Sequence, residues 1–386
     1  MTAARNAVAL SFFLNGLVFA SWVSRIPEVR SGFALSNAGL GLVLLAIAVG
    51  SIVALPTTGA AISRYGTVRV VRSGVAVAVV GLSIAALALG EALPVTVGGL
   101  FLYGLGIGVW DVAMNVEGAE VERHLRRTIM PRFHAGFSLG TVVGALVGVG
   151  LVALDVPGRW HLMAIAVLAL VGAWTTSSSF LPIPPRSGSD GPRSAARAWL
   201  EPRTLAIGVL VLALAMTEGT ANDWLAVALV DGYDASHSVG VAGFAVFVTA
   251  MTLTRFVGTT LLDSFGRAIV LWGTILTAGV GVVLIVFGGH PALVVLGIVL
   301  WGAGASLGFP VGMSAAADDP AHAAARVSVV STIGYAAFLA GPPLLGFVGD
   351  AVGTLTALLV VALLLVPAAL VVPSARKQTV SPAPGA

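Results

Sequence analysis

Three carboxylic acids stand inside long apolar runs of this chain: Asp111, Glu218 and Asp223. Asp111 is followed four residues later by Asn115, and Glu218 by Asn222. In a helix that spacing is about one turn, so each acid shares a face with an amide. Such a pair points a proton-binding group and a hydrogen-bonding amide into the same polar space. An acid at the centre of a bilayer costs about 2.5 to 3.5 kcal/mol, so each one requires a reason. Two reasons compete. Either the carboxyl takes up and releases a coupling proton, or it is a buried, hydrogen-bonded group that fixes helix packing. At about 1.5 Å per residue from the helix ends on the side of the termini, Asp111 lies roughly 10 Å deep and Glu218 roughly 20 Å. Asp223 lies nearer the opposite end, where a gate contact with Arg25 is a further reading.

Other polar residues are candidates for the same space. Asn15 and Trp22 are seven apart on the first run, hence on one face, and either line a cavity or pack. His134, with Ser138 one turn on, is either a cargo contact or a solvated interface histidine. Arg255 precedes Asp263 by two turns and is expected to form a gate salt bridge with Glu117 or Glu120.

Enzyme chemistry finds no support. Gly136-Phe-Ser138-Leu-Gly140 has the spacing of a serine nucleophile elbow, but it lies in an apolar helix and not at a strand-to-helix turn. Gly136, Gly140, Gly144 and Gly148 recur at every fourth residue, a small-residue stripe for close helix approach. Gly104, Gly106 and Gly108 follow no strand, which removes a dinucleotide fingerprint. Cysteine is absent and the six histidines are scattered, so neither metal nor cofactor is expected.

A chain of 386 residues that is 58% hydrophobic and 10% charged has lipid as its solvent. Its pI of about 9.8 reflects topology and not a nucleic-acid surface, since the basic residues sit at helix ends. Apolar runs fall at about 6–23, 38–62, 68–90, 94–117, 132–154 and 160–181, then 204–230, 238–262, 267–288, 291–313, 326–350 and 353–372. One set of alternate gaps holds Arg5, Arg64, Arg69, Arg72, Arg123, Arg126, Arg127, Arg132, Arg186, Arg193, Arg197, Arg203, Arg255, Arg267, Arg326, Arg376 and Lys377. The other holds only Arg25, Arg30 and Arg159. This sorting predicts a multi-pass inner (cytoplasmic) membrane protein with both termini in the cytoplasm.

The two halves repeat one another. Ser63-Arg64-Tyr65-Gly66 matches Asp263-Ser264-Phe265-Gly266, Tyr103-Gly104-Leu105-Gly106 matches Trp301-Gly302-Ala303-Gly304, and Arg132 with Gly140 matches Arg326 with Gly334. Three matches in one order at nearly constant offset are the mark of a transporter built from repeats. The expected organisation is an N-terminal six-helix half at 1–181, a Pro-, Ser- and Arg-rich cytoplasmic linker at 182–203, a C-terminal half at 204–372 and a disordered tail at 373–386.

At these residues the chain resembles the major facilitator superfamily. Gly59 through Arg69 is similar to its loop signature Gly-x-x-x-Asp-Arg-x-Gly-x-Arg, with Ser63 standing where the signature has Asp. Phe13-Leu14-Asn15-Gly16, Ser21-Trp22 with Arg25 and Pro27, Trp110-Asp111 with Met114-Asn115 and Glu117-Gly118, Glu218-Gly219 with Asp223-Trp224, and Gly334-Tyr335 with Gly341-Pro342-Pro343 resemble the MosC-like and YbjJ-like branch. A more distant similarity is to fucose permease, which has Glu-x-x-x-Asn where this chain has Asp111 and Asn115. The resemblance implies an all-α fold of twelve transmembrane helices in two pseudo-symmetric halves around a central cavity. It implies proton-coupled secondary transport of a small polar organic solute, sugar-like or cyclitol-like, by a monomer that binds no nucleic acid. Asp111 and Glu218 would carry protons. Asn15, Trp22, Asn115, His134, Asn222 and Tyr335 would line the site. Arg25, Asp223, Arg64, Glu117, Arg255 and Asp263 would gate it. A drug or metabolite efflux antiporter is the alternative, and a membrane enzyme or sensor a remoter one.

Overall fold

In lipid a chain must satisfy its own backbone N–H and C=O groups, and the apolar runs do so as helices. The computed structural model describes residues 1–125, 129–181, 197–319 and 322–376. Most of the expected linker, the tail from residue 377 onward, and Arg126 and Arg127 lie outside the described residues. Among the described residues, twelve helices are long and apolar enough to cross a membrane. Spans 1 to 6 are Thr2–Gly32, Asn37–Ala54, Arg64–Ala88, Leu93–Leu125, Arg132–Ala153 and Gly158–Ser177. Spans 7 to 12 are Pro202–Tyr233, His237–Gly258, Thr260–Phe287, Pro291–Ala316, Val329–Val352 and Thr354–Ala375. The first residues of the expected tail, Pro373 to Ala375, continue span 12 as a short 3₁₀ turn.

The repeat is visible in the backbone. The long helix Asn37–Ala88, which carries spans 2 and 3, turns at Gly66 (φ 78°, ψ 160°), and His237–Phe287, which carries spans 8 and 9, turns at Gly266 (φ 75°, ψ 163°). A positive φ suits glycine, so the two copies of the loop motif turn the chain by the same device.

Spans 1 and 10 each break close before a proline. Span 1 breaks at Ser24 and Arg25 between helices Thr2–Val23 and Ile26–Gly32. Pro27 has no N–H to bond the carbonyl four residues back, at Val23, and its ring crowds that carbonyl. Span 10 breaks at Ser306 and Leu307 between helices Pro291–Ala305 and Gly308–Ala316. Here Pro310 stands four residues after Ser306, and the Ser306 carbonyl is thereby left for another donor.

The glycine stripe of span 5 is one site of close helix approach. A Cβ at Gly144 would lie 2.7 Å from the Leu17 carbonyl oxygen and 3.0 Å from the Ala20 Cβ, and one at Gly136 would lie 3.2 Å from the Ala9 oxygen. The stripe therefore faces span 1, backbone against backbone. Gly144→Leu is expected to force the two spans apart at a cost of about 1 to 3 kcal/mol. A lowered melting temperature of the purified protein checks this, and an unchanged one would mean that span 1 yields freely.

By contact density the chain forms two compact units. One comprises Met1–Ser187, Thr220–Thr252 and Leu339–Leu358, and the other Gly188–Gly219, Leu253–Phe338 and Leu359–Ala386.

Candidate functional site

Asp111 and Asn115 meet as their spacing predicts. The Asn115 amide donates to the Asp111 backbone oxygen at 2.9 Å and to its Oδ1 at 3.2 Å. Around them the first unit is tightly packed. The Trp110 indole donates to Ser11 Oγ at 2.9 Å, and the buried Trp22 ring stands 6.4 Å from Tyr103.

Glu218 takes a different partner from the one spacing offers. The Arg255 Nη2 donates to Oε2 at 3.0 Å and to Oε1 at 3.2 Å, so one nitrogen holds both carboxylate oxygens. The Arg255 Nε donates at 3.0 Å to the carbonyl of Ser306, the group released by the proline break in span 10. Spans 7, 8 and 10 thus converge on one guanidinium. Arg255 was expected to pair with Glu117 or Glu120, and the structure assigns those acids elsewhere. Glu117 is fully buried and accepts from Thr67 Oγ1 at 2.6 Å and from the Leu181 N–H at 2.5 Å. Glu120 is ion-paired with Arg123 and lies 3.2 Å from the His124 ring. A guanidinium on a neighbouring span outcompetes an amide on the same helix as the carboxylate, because hydrogen bonds between ionised groups are roughly twice as strong as neutral ones.

Arg25 is also paired locally and not with Asp223. Its Nη1 donates to Glu28 at 2.8 Å and its Nε to His161 Nδ1 at 3.0 Å. Glu28 in turn accepts from the Gly158 N–H at the start of span 6 at 2.9 Å. These groups border a cleft of about 400 Å³, lined by Arg25, Glu28, Asp155 and His237 among others, that reaches neither Asp111 nor Glu218. Asp223 has no hydrogen-bond or ion-pair partner among the described residues.

The remaining candidates are dispersed. His134 is exposed and meets the Phe12 ring edge-on at 5.1 Å. Tyr335 stands 6.4 Å from Phe338. Arg64 lies over the Tyr65 ring at 5.5 Å, and Asp263 is exposed. Several buried polar atoms lack a partner among the described residues: Asn15 Nδ2, Ser21 Oγ, Thr220 Oγ1 and Asn222 Oδ1. Natural interiors leave few such atoms, and these four all belong to spans 1 and 7.

Sequence reasoning missed the network at the ends of the spans remote from the termini. Asp350 accepts from the Asn37 N–H at 2.7 Å and the Ala38 N–H at 3.0 Å, at the start of span 2. The Thr354 hydroxyl lies 2.9 Å from Asn37 Oδ1 and 2.7 Å from Asp231, which is ion-paired with Arg30. It missed the acids at the other ends too. Asp318 accepts from Arg203 at 3.0 Å and from Arg267 at 2.7 Å, and Arg326 donates to Glu201 at 2.6 Å. That hydrogen bond from Arg326 holds the Glu201 carboxyl below the ordinary carboxylate range. The signal available was each acid's place at a span end facing an arginine at another.

Two relatives are similar along nearly their whole length. An uncharacterised transporter, y4wD, of Sinorhizobium fredii is 34% identical over 351 residues, covering 90% of this chain and 91% of its own. An uncharacterised MFS-type transporter of Yersinia pestis is 34% identical over 364 residues, covering 92% of this chain and 91% of its own. The chain belongs to the major facilitator superfamily. The superfamily profile matches residues 205–385. The membrane protein MosC of Rhizobium meliloti is 29% identical over 366 residues, covering 92% of this chain and 86% of its own. Among solved structures, a mutant of the nucleoside transporter NupG has a TM-score of 0.81 at 14% identity, covering 96% of this chain and 99% of its own. The transporter FucP in its outward conformation has a TM-score of 0.68 at 16% identity, covering 97% and 99%. At those identities the structures share the fold. The chain is therefore a membrane transporter and not an enzyme.

Proposed function

We propose that this transporter moves a small polar organic solute, sugar-like or cyclitol-like, across the inner membrane by alternating access between two six-helix halves, coupled to protons that Glu218 and Asp111 bind. The observation that carries the reading is Glu218, an acid within span 7 held at 3.0 Å by a basic residue within span 8. A structural ion pair inside a membrane helix is costly, whereas a pair that opens and closes with a proton has a use. The unsatisfied Asn15, Ser21 and Asn222 atoms support a hydroxyl-rich cargo, which would complete their hydrogen bonds. Trp22, Asn115, His134 and Tyr335 are the further cargo contacts of this reading, and Arg25, Asp223, Arg64, Glu117, Arg255 and Asp263 its gate residues. A thermal-shift screen of purified protein against sugars and cyclitols, followed by uptake of any hit into vesicles with an imposed pH gradient, tests it. Hits confined to hydrophobic cations, with export in place of uptake, would replace it with the efflux reading.

The orientation rests on the arginine sorting. Reporter fusions after Arg69, Arg193 and Arg376 are expected to report the cytoplasm, and fusions near Glu28 and Asp234 the outer side. One reversal among the five would break the alternation of the twelve spans.

A further inference from the structure

The cleft beside Arg25 is remote from the transport residues Asp111 and Glu218, and it has chemistry of its own. Its walls come from the break in span 1, the turn between spans 5 and 6, and the turn between spans 7 and 8. All of these segments lie in one compact unit. On the proposed orientation the turns face outward. At about 400 Å³ the cleft falls within the range of small-molecule sites, about 300 to 1,000 Å³.

Arg25 is its fixed point. The residue is 2% exposed, its Nη1 is taken by Glu28 at 2.8 Å, and its Nε by His161 Nδ1 at 3.0 Å. Those two bonds hold the guanidinium plane, and Nη2 is left with no acceptor among the described residues. Buried donors in native proteins are nearly always paired, so an unpaired guanidinium nitrogen in the wall of a cleft is fitted to a ligand oxygen. The same cleft holds an unspent acceptor. Glu28 is neutralised by Arg25 and takes the Gly158 N–H, but the exposed Asp155 carboxylate has no hydrogen-bond or ion-pair partner among the described residues. His237 adds a ring that can donate or accept, and Val152, Val156 and Pro157 add an apolar strip.

This combination selects among ligands. An anion would satisfy Arg25 but meet the uncompensated charge of Asp155. An ammonium would satisfy Asp155 and offer Nη2 nothing. A hydroxyl serves both, because its oxygen accepts while its hydrogen is donated. A ring with neighbouring hydroxyls presents both on one edge and turns its C–H face to the apolar strip. We infer that this cleft is an outer binding site for a hydroxyl-rich ring of hexose or cyclitol size, separate from the polar groups of spans 1, 4 and 7. It takes the chemistry proposed for the cargo. A role in capturing cargo ahead of the central groups rests on that proposal, and the binding itself does not.

The test is a protection assay on the purified full-length protein with myo-inositol and glucose as probes. The chain has no cysteine, so Ala153→Cys on the exposed lip of the cleft reports alone. At least one probe at saturation is expected to slow its reaction with a maleimide about tenfold, and equal concentrations of acetate or tetramethylammonium no more than twofold. Asp155→Gly removes the carboxylate and suits a backbone held at φ 51°. It should raise the probe concentration for half protection about tenfold, and Asp155→Asn, which keeps the side chain's size, at least threefold. Asp155 is exposed, so both variants should melt as the parent does. No protection by either probe, equal protection by acetate or tetramethylammonium, or protection unchanged in both Asp155 variants overturns the inference. Asn15→Ala with Asn222→Ala separates it from the cargo reading. Protection lost there but kept in the Asp155 variants would place the probe at the central groups, so that the cargo reading stands and the outer site falls. Protection that depends on Asp155, in a protein that takes up no sugar or cyclitol, leaves the outer site standing and removes the cargo reading.

Discussion

Vesicles reconstituted with Glu218→Gln are expected to show no accumulation of cargo when a pH gradient is the only driving force. A gradient of one pH unit is worth about 1.4 kcal/mol per proton, which supports roughly tenfold accumulation at one proton per cargo. The variant should stop at equal concentrations on the two sides. A glutamine has the size and much of the hydrogen bonding of a protonated glutamic acid, but it has no proton to release when the site reopens. It also leaves Arg255 without the carboxylate that holds it at 3.0 Å, so the variant resembles the loaded, protonated form. Binding and exchange between preloaded vesicles should therefore survive. Asp111→Asn is the companion test, since Asn115 already bonds Asp111 Oδ1 at 3.2 Å and an amide in that place keeps the contact. If both variants still concentrate cargo against its gradient, the two acids are structural.

What the sequence could and could not reveal follows from the range of the interactions. The twelve spans were legible because each apolar run is local and long, and the repeat was legible because Gly66 and Gly266 occupy the same left-handed turn in their two motifs. The contact between Asp111 and Asn115 was legible for a similar reason, being one turn along a single helix. Glu218 and Asn222 have the same spacing, and there the local rule fails. A guanidinium on span 8 reaches Glu218, and whether two spans face each other at that height is set by their rotation and packing, which periodicity does not encode. The same blindness misassigned Arg255 to Glu117, whose carboxylate is taken up by Thr67 and the Leu181 N–H within the first unit. The breaks in spans 1 and 10 had a readable cause in Pro27 and Pro310. Their consequence, a carbonyl at Ser306 given to Arg255, needed the fold.

Removing the network remote from the termini is expected to open that face. It joins the ends of spans 1, 7 and 11 to the starts of spans 2 and 12, through Arg30 with Asp231, Asp350 with the Asn37 and Ala38 N–H groups, and Thr354 with Asn37 and Asp231. All of these residues belong to one compact unit, although spans 1 and 2 come from the first repeat and spans 7, 11 and 12 from the second. In the proposed alternating access the repeats separate at each face in turn, and on that reading these bonds break in every cycle. Hydrogen bonds to a charged group contribute about 1.5 to 3 kcal/mol when buried, and the exposure of Asp350 reduces its share to about 1 kcal/mol. Asp350→Ala alone should shift the population toward the open face about fivefold, and Asp350→Ala with Asp231→Ala by at least tenfold. The absence of native cysteine makes the readout simple, because a single cysteine reports without background. Val227 borders the cleft beside Arg30 and Asp231 and is 1% exposed, so Val227→Cys should react slowly with a bulky maleimide. Its labelling rate should rise with the open population in each variant. Labelling that stays slow while the melting temperature falls would show that the network holds the fold together and does not gate it.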